Sequence, residues 1–514
     1  MELLNLPWKL TAEMSPSRVA NSPQTLRFVL DGAVVSLHEP PPTMTVLEYL
    51  RDVAGRCGTK EGCAEGDCGA CTVVIGELTT DRRSVCYRAV NSCIRFLPTL
   101  DGKELVTVES LQQPDDCAAH PVQQSLVDHH GSQCGFCTPG FVMSLFALYL
   151  NRDAADREQV LCALAGNLCR CTGYRPIIEA GMRQFTYASP TRWSREEAYS
   201  ESHVEPLRSI ERGPAAASSL RYPGFHAPRG LDELADALES SPGALLLAGG
   251  TDIGLWVTKQ LRDLPGLVYL GDVPELTRIE ERSQELWIGA AVTLTDAWPA
   301  LLARFPTLAE QAARFASPPI RNSATLCGNL ANGSPIGDSI QMLIALDARL
   351  ELRLGKKVRR LPLEDFYLEY QKKDLSAGEY VAGVAIPPPR NGQLLASYKL
   401  SKRFDQDISA VAATFCVTLE AAQVTEARLA YGGLAGIPQR ARHAERALLR
   451  GGWNLAGIEA SVAALATDFE PLTDLRASRE YRLKAAGNLL RRFYLQQQGG
   501  HVALRTADAL LDVG

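Results

Sequence analysis

The residues with the clearest chemistry are cysteines, of which the chain has 14 among its 514 residues. Cys63, Cys68 and Cys71 form a Cys-x4-Cys-x2-Cys pattern, and Cys93 follows at a distance. Three close thiolates and one remote thiolate are the ligand spacing of a plant-type [2Fe-2S] cluster. Zinc sites more often combine two short Cys-x2-4-Cys pairs. The spacing therefore predicts an iron–sulfur site on these four cysteines.

The neighbours of these cysteines support the same prediction. Glycines let the backbone wrap tightly around a cluster and leave N–H groups free to point at its sulfurs; they stand at Gly62, Gly66 and Gly69. Cys57 and Cys86 do not fit the pattern, and we expect both to be buried, non-ligating side chains.

A second set of four cysteines has a different spacing. Cys134-Gly-Phe-Cys137 precedes one predicted helix, and Cys169-Arg-Cys171 follows another. Two such helices side by side could offer two thiolates each to a second binuclear cluster. A Cys-x2-Cys pair alone also fits zinc or a thioredoxin-like redox site. Because a Cys-x-Cys pair is unusual for zinc, the spacing favours iron–sulfur and leaves zinc open.

Two loops of small residues indicate a dinucleotide site. The apolar run Leu245-Leu246-Leu247 enters the turn Ala248-Gly249-Gly250-Thr251-Asp252-Ile253. A second loop runs from Thr325 to Asp338. Backbone N–H groups in such turns can hold a pyrophosphate, although an ordinary strand-to-helix turn looks the same in sequence. Neither loop is a GxGxxG after a first strand, so a Rossmann fold is disfavoured.

These segments together resemble a known family. KEGCAEGDCGACTV at 60–73, QCGFCTPG at 133–140 and GNLCRCTGYRP at 166–176 closely resemble the molybdenum hydroxylases, the xanthine dehydrogenase/oxidase family. By this resemblance, the Cys134 cluster lies nearer the molybdenum centre and the Cys63 cluster lies on the flavin side. Gln133 matches the family residue that contacts the pterin of the molybdenum cofactor. The resemblance covers about residues 25 to 500.

The resemblance also implies FAD. The implied FAD-binding residues are Leu245, Leu246, Leu247, Ala248, Gly249, Gly250, Thr251, Asp252, Ile253, Phe315, Thr325, Leu326, Cys327, Gly328, Asn329, Asp338 and Lys399. Phe315 would stack near the isoalloxazine ring, residues 325–329 would hold phosphate and ribose, and Asp338 and Lys399 would make polar contacts to the flavin. Tyr370 would lie beside the nicotinamide site. Asp405, in a charged loop, would lie near the flavin and tune its reactivity towards NAD or oxygen.

The pattern along the chain predicts an α+β protein of several domains. We expect an N-terminal extension (1–24), a β-grasp plant-type [2Fe-2S] ferredoxin domain (25–105), and a four-helix [2Fe-2S] domain (106–188). A polar, Pro/Ala/Ser-rich linker (189–218) would follow. An α+β FAD-binding domain of the vanillyl-alcohol-oxidase/PCMH type (219–390) and a C-terminal α+β flavoprotein domain (395–503) complete the prediction.

Composition excludes several other classes of protein. The 53 Lys+Arg and 59 Asp+Glu residues give a formal charge of −6, which argues against a nucleic-acid surface. No apolar run reaches the length of a membrane span, and the first residues do not form a secretory signal. Clustered cysteines without a secretory signal indicate metal binding and a cytoplasmic protein, not a disulfide scaffold.

The resemblance implies a function shared with a partner. Because the chain stops at Gly514, after the flavin half, it looks like the small subunit of a split bacterial xanthine dehydrogenase. Electrons from a molybdenum cofactor on a large subunit would pass through both clusters to FAD and then to NAD. Two small and two large subunits are expected, with no catalytic residue on this chain. The alternatives are another molybdenum hydroxylase acting on an aldehyde or N-heterocycle, a carbon monoxide dehydrogenase relative, a stand-alone iron–sulfur flavoprotein reductase, or a zinc-stabilised module.

Overall fold

The computed structural model describes residues 22–114, 118–212, 219–404, 406–421 and 423–499. They divide into two compact units. The first comprises residues up to Thr277 together with Thr293–Thr295 and Ser317–Thr325; the second comprises Arg278–Val292, Asp296–Ala316 and the chain from Leu326 onwards. Most of the predicted extension and Asp405 lie outside the described residues. Within these ranges, no helix is both long and apolar enough to cross a bilayer.

The first unit begins with a five-stranded sheet in the order β2-β1-β5-β3-β4, in which β1 and β5 are parallel. Its strands are β1 (Thr25–Leu30), β2 (Ala33–His38), β3 (Thr72–Leu78), β4 (Val85–Asn91) and β5 (Glu104–Val106). Asp31 and Gly32 form the β1–β2 turn with positive φ angles of 54° and 76°, as the Asp-Gly hairpin signal predicts. Helix α1 (Val46–Glu48) begins with a Thr45–Glu48 capping box and continues as a π-helical turn, Tyr49–Val53.

Four helices form the next module. They are α2 (Pro121–Asp128), α3 (Thr138–Asn151), α4 (Arg157–Leu164) and α5 (Arg175–Arg183). Proline occupies the first turn of α2, α3 and α5, where its missing N–H has no helical partner to lose. Phe141, Met143 and Phe146 of α3 are completely or almost completely buried. Because α3 is apolar on nearly every side, it forms the centre of the module.

The described part of the predicted linker at 189–218 is partly helical. It contains α6 (Arg195–Ala198), which packs against α3, and α7 (Glu201–Ile210), which packs against the ferredoxin sheet. Tyr87 Oη donates to the carbonyl of Ala198 at 3.0 Å, and Arg27 donates to the carbonyl of Ile210 at 3.0 Å. Val204 and Leu207 of α7 recur at helical spacing and are fully buried.

A second sheet completes the first unit, in the order β6-β7-β9-β8. Its strands are β6 (Leu220–Tyr222), β7 (Phe225–Ala227), β8 (Leu245–Leu247) and β9 (Leu267–Tyr269), and its helices are α8 (Leu231–Ser240) and α9 (Ile253–Thr258). Strand β8 is parallel to β9, with Leu247 opposite Tyr269. The turn between β8 and α9 is the predicted glycine turn.

The second unit contains two larger sheets, ordered β10-β11-β16-β12-β13 and β17-β18-β19-β20, and a small hairpin. The strands are β10 (Ile279–Arg282), β11 (Glu285–Gly289), β12 (Arg349–Leu354), β13 (Lys357–Pro362), β14 (Tyr367–Glu369), β15 (Lys372–Lys373), β16 (Tyr380–Ile386), β17 (Gln393–Leu400), β18 (Val411–Glu420), β19 (Gln423–Gly432) and β20 (Gln439–Arg440).

Helices connect these strands and cover the last sheet. They are α10 (Leu294–Arg304), α11 (Ala309–Arg314), α12 (Pro318–Arg321), α13 (Leu326–Asn332), α14 (Asp338–Ala345), α15 (Leu363–Phe366), α16 (Arg442–Gly451), α17 (Leu455–Asp468) and α18 (Arg479–Gln497). Of these, α12 belongs to the first unit, and α10 begins there. The predicted α+β class with several modules is confirmed.

Candidate functional site

The four thiols of the first cysteine set meet in the first unit. The Cys68 and Cys93 thiols donate hydrogen bonds to the Cys63 sulfur, and Cys93 also donates to Cys71. The backbone N–H groups of Cys68 and Glu65 point at Cys63 Sγ at 3.3 and 3.5 Å. These contacts, led by the one from Cys68, hold the pKa of Cys63 well below its usual range. A thiolate with N–H donors aimed at it suits an iron–sulfur ligand.

The ligand loop is as tight as its glycines predicted. A Cβ atom on Gly62 would lie 2.7 Å from Cys68 Sγ, closer than two such atoms can approach. Gly66 and Gly69 have φ angles of +79° and +70°, which side-chain-bearing residues rarely adopt. The expectation for Cys57 is wrong, since this thiol is exposed, and Cys86 is half-buried.

The second cysteine set also converges. Cys134 Sγ and Cys171 Sγ lie 3.6 Å apart, and Cys137 is hydrogen-bonded to Cys169. Burial, followed by this contact, raises the pKa of Cys137 to about 12. Thr172 donates to Cys169 Sγ from its hydroxyl at 3.2 Å and its N–H at 3.5 Å. The thiols thus lie at the start of α3 and just after α4.

The arrangement of these thiols bears on the choice between zinc and iron–sulfur. The second set forms two pairs, Cys134 with Cys171 and Cys137 with Cys169. A binuclear cluster takes two thiolates on each iron, so paired thiols fit it.

Backbone contacts join the two cysteine sites. The N–H of Leu168, next to Cys169, donates to the carbonyl of Cys68 at 2.9 Å. Asn167 Nδ2 donates to the carbonyl of Gly69 at 3.1 Å. A Cβ on Gly140 would lie 2.1 Å from that same carbonyl oxygen. The two modules therefore touch main chain to main chain. Sequence reasoning missed Asn167 and Leu168, because a backbone contact across about 100 positions has no spacing signal.

The first cysteine loop also touches the helix that follows the glycine turn. Thr258 Oγ1 donates to the carbonyl of Ala64 at 2.7 Å, and Lys259 Nζ donates to the carbonyl of Cys63 at 3.0 Å. A Cβ on Gly254 would lie 2.5 Å from the carbonyl oxygen of Ile94, the residue after Cys93. Helix α9 is thus packed directly on the segments that carry cysteines of the first set.

The glycine turn itself approaches the second small-residue loop within the first unit. A Cβ on Gly249 would lie only 2.0 Å from the carbonyl oxygen of Ser323. Gly250 has a φ of +73°, and the buried Thr325 pairs with Thr293 in an isolated bridge. The structure therefore brings the 245–253 segment next to the backbone of 323–325. Packing on this backbone requires glycine at position 249, and pyrophosphate binding by the turn stays a prediction.

The other predicted FAD-binding residues belong to the second unit. Leu326 and Cys327 begin α13 with fully buried side chains, so only their backbone could contact a ligand. Burial raises the pKa of the Cys327 thiol, which keeps it protonated. Gly328 and Asn329 are half-buried, and Asn329 Oδ1 accepts a hydrogen bond from Ser339 at 2.6 Å.

Asp338 and Lys399 form a buried ion pair with each other. Lys399 Nζ donates to one carboxylate oxygen of Asp338, and Ser409 donates to the other at 2.6 Å. Only 3% and 2% of the Lys399 and Asp338 side-chain surfaces are exposed. The sequence did not reveal this pairing. Direct contacts from either residue to FAD stay a prediction.

Arg314 organises the neighbourhood of Phe315 and Lys399. Its guanidinium donates to the carbonyls of Lys399 at 3.0 Å and Phe404 at 3.1 Å, and it lies over the Phe404 ring. Phe315, half-buried, packs edge-to-face on Trp298 at 6.1 Å between ring centres. Sequence reasoning missed Arg314, because nothing in its spacing distinguishes it from a surface arginine.

Tyr370 and Gln133, for which the resemblance implies contacts with the nicotinamide and the pterin, both have exposed side chains. Tyr370 lies in the turn between β14 and β15 with 63% of its surface exposed. Gln133 is exposed immediately before Cys134. Both side chains are therefore accessible for the contacts predicted of them.

Family models match most of the chain. Residues 28–96 match a 2Fe-2S iron-sulfur cluster binding domain and residues 107–182 a [2Fe-2S] binding domain. Residues 218–389 match the FAD binding domain in molybdopterin dehydrogenase, and residues 396–497 the CO dehydrogenase flavoprotein C-terminal domain. The chain belongs to the molybdenum hydroxylase family. Two [2Fe-2S]-binding domains and an FAD-binding domain are therefore present.

Known members of this family show the extent of the similarity. The chain is 33% identical to xanthine dehydrogenase of Emericella nidulans over 87% of this chain and 36% of that protein. It is 30% identical to xanthine dehydrogenase 2 of Arabidopsis thaliana over 83% of this chain and 36% of that protein. The chain thus spans about a third of the length of these relatives. A reconstituted CO dehydrogenase from Oligotropha carboxidovorans is 28% identical over 52% of this chain and 94% of that chain, with a TM-score of 0.49.

Proposed function

We propose that this chain is the electron-transfer subunit of a xanthine dehydrogenase, oxidising hypoxanthine and xanthine to urate together with a partner subunit that holds the molybdenum cofactor. Electrons would leave through FAD to NAD. When bound, two [2Fe-2S] clusters supply one-electron carriers, and FAD supplies the exchange between one-electron and two-electron chemistry. The relatives named xanthine dehydrogenase support this choice of substrate.

One observation carries the proposal: the Cys63–Ala70 loop touches both neighbouring sites within the first unit. On one side, Cys68 accepts a hydrogen bond from Leu168, the neighbour of Cys169. On the other, Cys63 and Ala64 accept hydrogen bonds from Lys259 and Thr258, at the end of the helix that follows the glycine turn. Because a few residues of one loop join the two contacts, the loop suits a relay position between the second cluster and a flavin.

The residues of the site have separate parts in this proposal. The eight cysteines hold two clusters, Cys63, Cys68, Cys71 and Cys93 the first, and Cys134, Cys137, Cys169 and Cys171 the second. The backbone of 248–253 and of 325–329 binds FAD. The buried Asp338–Lys399 pair, fixed by Ser409 and Arg314, keeps a charged group in one position in the flavoprotein half. The exposed Tyr370 ring would contact the nicotinamide.

The direct test is the composition of the complex purified with its partner. We expect about four irons per chain for two binuclear clusters, with one FAD per chain and molybdenum on the partner. The preparation should be brown, and dithionite should bleach it. A colourless, zinc-containing chain would contradict the proposal, as would a chain that is fully active with varied acceptors and never co-purifies with a molybdenum protein.

Substrate choice needs a second measurement on the same complex. Xanthine-dependent formation of NADH should exceed the rates with simple aldehydes and with other N-heterocycles. Faster oxidation of an aldehyde or of a heterocycle such as quinoline, with an intact set of cofactors, would assign the complex to another molybdenum hydroxylase. Reduction of oxygen in place of NAD would contradict NAD as the electron acceptor. It would still agree with the electron-transfer role of the chain.

A further inference from the structure

One lysine reaches the backbone of a predicted cluster ligand from another module. Lys259 follows α9, and its ammonium donates a 3.0 Å hydrogen bond to the carbonyl of Cys63. It also lies 3.6 Å from a carboxylate oxygen of Glu65, two residues farther along the ligand loop. Thr258, its neighbour, is fixed to the carbonyl of Ala64. Three consecutive residues of the ligand loop are thus engaged by two residues at the end of one helix.

A positive charge at Lys259 lies beside a cluster and a loop that are both negatively charged. Four thiolates around two ferric ions and two sulfides carry a net charge of −2, and reduction adds one more negative charge. The surrounding loop is acidic overall, with one lysine and three carboxylates between positions 60 and 67; they are Lys60, Glu61, Glu65 and Asp67. Reduction therefore adds negative charge to an already negative region, which a nearby cation opposes.

The distance places the ammonium close enough to act on the cluster. The carbonyl oxygen and the sulfur of Cys63 are separated by four covalent bonds, so Lys259 Nζ lies within about 8 Å of that sulfur. The hydrogen bond to the carbonyl also fixes the ammonium against the loop. Since the Lys259 side chain is 44% exposed, solvent and salt reduce its effect but do not remove it.

From this geometry we infer that Lys259 and Glu65 form a charge pair that sets the reduction potential of the Cys63 cluster, Lys259 raising it and Glu65 lowering it. The inference rests on the proposed iron–sulfur site. It gives Lys259 a positioning and tuning role, through the carbonyl of a ligand, and no contact with substrate. The flavin-binding module would thereby influence how readily the neighbouring cluster accepts an electron.

The test is a redox titration of the purified complex, followed by electron paramagnetic resonance of each cluster. At a fixed solution potential, Lys259→Met should lower the ratio of reduced to oxidised Cys63 cluster about three- to tenfold, a downward shift of about 30 to 60 mV. Glu65→Gln should shift the potential upwards. Lys259→Arg should keep the potential of the unmodified protein, because arginine keeps the positive charge. The Cys134 cluster should hold its potential in all variants.

Arg262→Met is the matched control. Arg262 is exposed three residues after Lys259 and stacks on Trp256 at 4.6 Å, so this variant removes the same charge without touching the ligand loop. It should leave the potential of the Cys63 cluster unchanged. Higher ionic strength should reduce the shift caused by Lys259→Met, since the pair is partly exposed.

Several results would overturn the inference. An unchanged potential in Lys259→Met would do so, as would shifts of the same sign in Lys259→Met and Glu65→Gln, which would indicate a distorted loop. If Lys259→Met fails to assemble the cluster, Glu65→Gln still tests the inference. An upward shift of the cluster potential would support it, and a downward shift or no shift would overturn it. Absence of both cluster signals from the unmodified complex would instead refute the proposed function, so the two failures are distinguishable.

Discussion

Replacing Gly249 by alanine tests the predicted FAD-binding turn most directly. The new Cβ would lie 2.0 Å from the carbonyl oxygen of Ser323 and 2.8 Å from the Cα of Ala324. Both are backbone atoms, so no side chain can rotate away. Gly249 is not among the glycines with positive φ, and alanine would otherwise be tolerated there. The close approach is therefore the reason for glycine at this position.

The size of the effect follows from the distance. Relieving the overlap requires the turn or the 323–325 backbone to move by about 1 Å, and overpacking of this kind costs about 1 to 3 kcal/mol. If the turn must return to its original geometry to bind FAD, that cost appears in the affinity. An increase of about 10- to 100-fold in the FAD dissociation constant is expected, since 1.4 kcal/mol corresponds to tenfold.

The assay compares cofactors on one preparation. FAD released from the purified complex should fall in Gly249→Ala, and titration of FAD into the flavin-free protein should give the weaker dissociation constant. Iron content and the cluster spectra should be unchanged. Gly230→Ala is the control, because Gly230 has an extended backbone and a Cβ there would have no neighbouring atom within 4 Å. Full FAD content in Gly249→Ala, with a dissociation constant within about twofold of the unmodified protein, would refute the assignment.

Three further substitutions probe other parts of the chain. Burial lowers the pKa of His203, but hydrogen bonds to Glu104 and Glu197 raise it more, to about 9. Because this folded-state pKa exceeds the unfolded-state value of about 6.5, the protonated histidine stabilises the fold by up to about 3 kcal/mol. The stabilisation is complete below about pH 6.5 and is lost as the pH rises through 9. Chemical unfolding at several pH values should show this loss, and His203→Gln should abolish it; the same slope in the variant would exclude His203 as its source. Gly69→Ala combines an unfavourable φ with a Cβ only 2.2 Å from the carbonyl oxygen of Gly166 in the helical module. The two modules should move apart, which would weaken the magnetic coupling between the two clusters. Unchanged coupling would contradict the contact. Asp338→Asn would leave Lys399 buried without its counter-charge and cost about 3 kcal/mol, which calorimetry would detect as a lower melting temperature; an unchanged temperature would show that the pair contributes little.

The sequence was most informative where ligands are close together in the chain. Cys63, Cys68 and Cys71 lie within one loop, so their spacing alone predicts a convergence that the structure displays. Strand β18 is a nearly continuous apolar run whose first eight residues are all buried, and such a run indicates a buried strand. Local chemistry and local periodicity are both readable from a single sequence.

Contacts between distant segments could not be predicted in the same way. The hydrogen bond from Leu168 to Cys68 uses backbone atoms that every residue has, so no residue type announces it. Asp338 and Lys399 were each assigned to the flavin, and nothing in their positions shows that they pair with each other. Helices α6 and α7 in the predicted linker at 189–218 were not predicted for a related reason: the composition there is polar on average, whereas helix burial depends on which few positions face the rest of the protein.

The meeting of Gly69 with Gly140 has a consequence for how the two iron–sulfur modules can be exchanged. Most domain interfaces are lined with side chains, which can lengthen, shorten or rotate when one partner is replaced. Here the carbonyl of Gly69 lies where any Cβ on residue 140 would stand, so at this point of the interface no side chain can adjust. A ferredoxin taken from another protein would fit only if it brought the same bare backbone. The distance between the two modules is therefore fixed at this point by main-chain geometry.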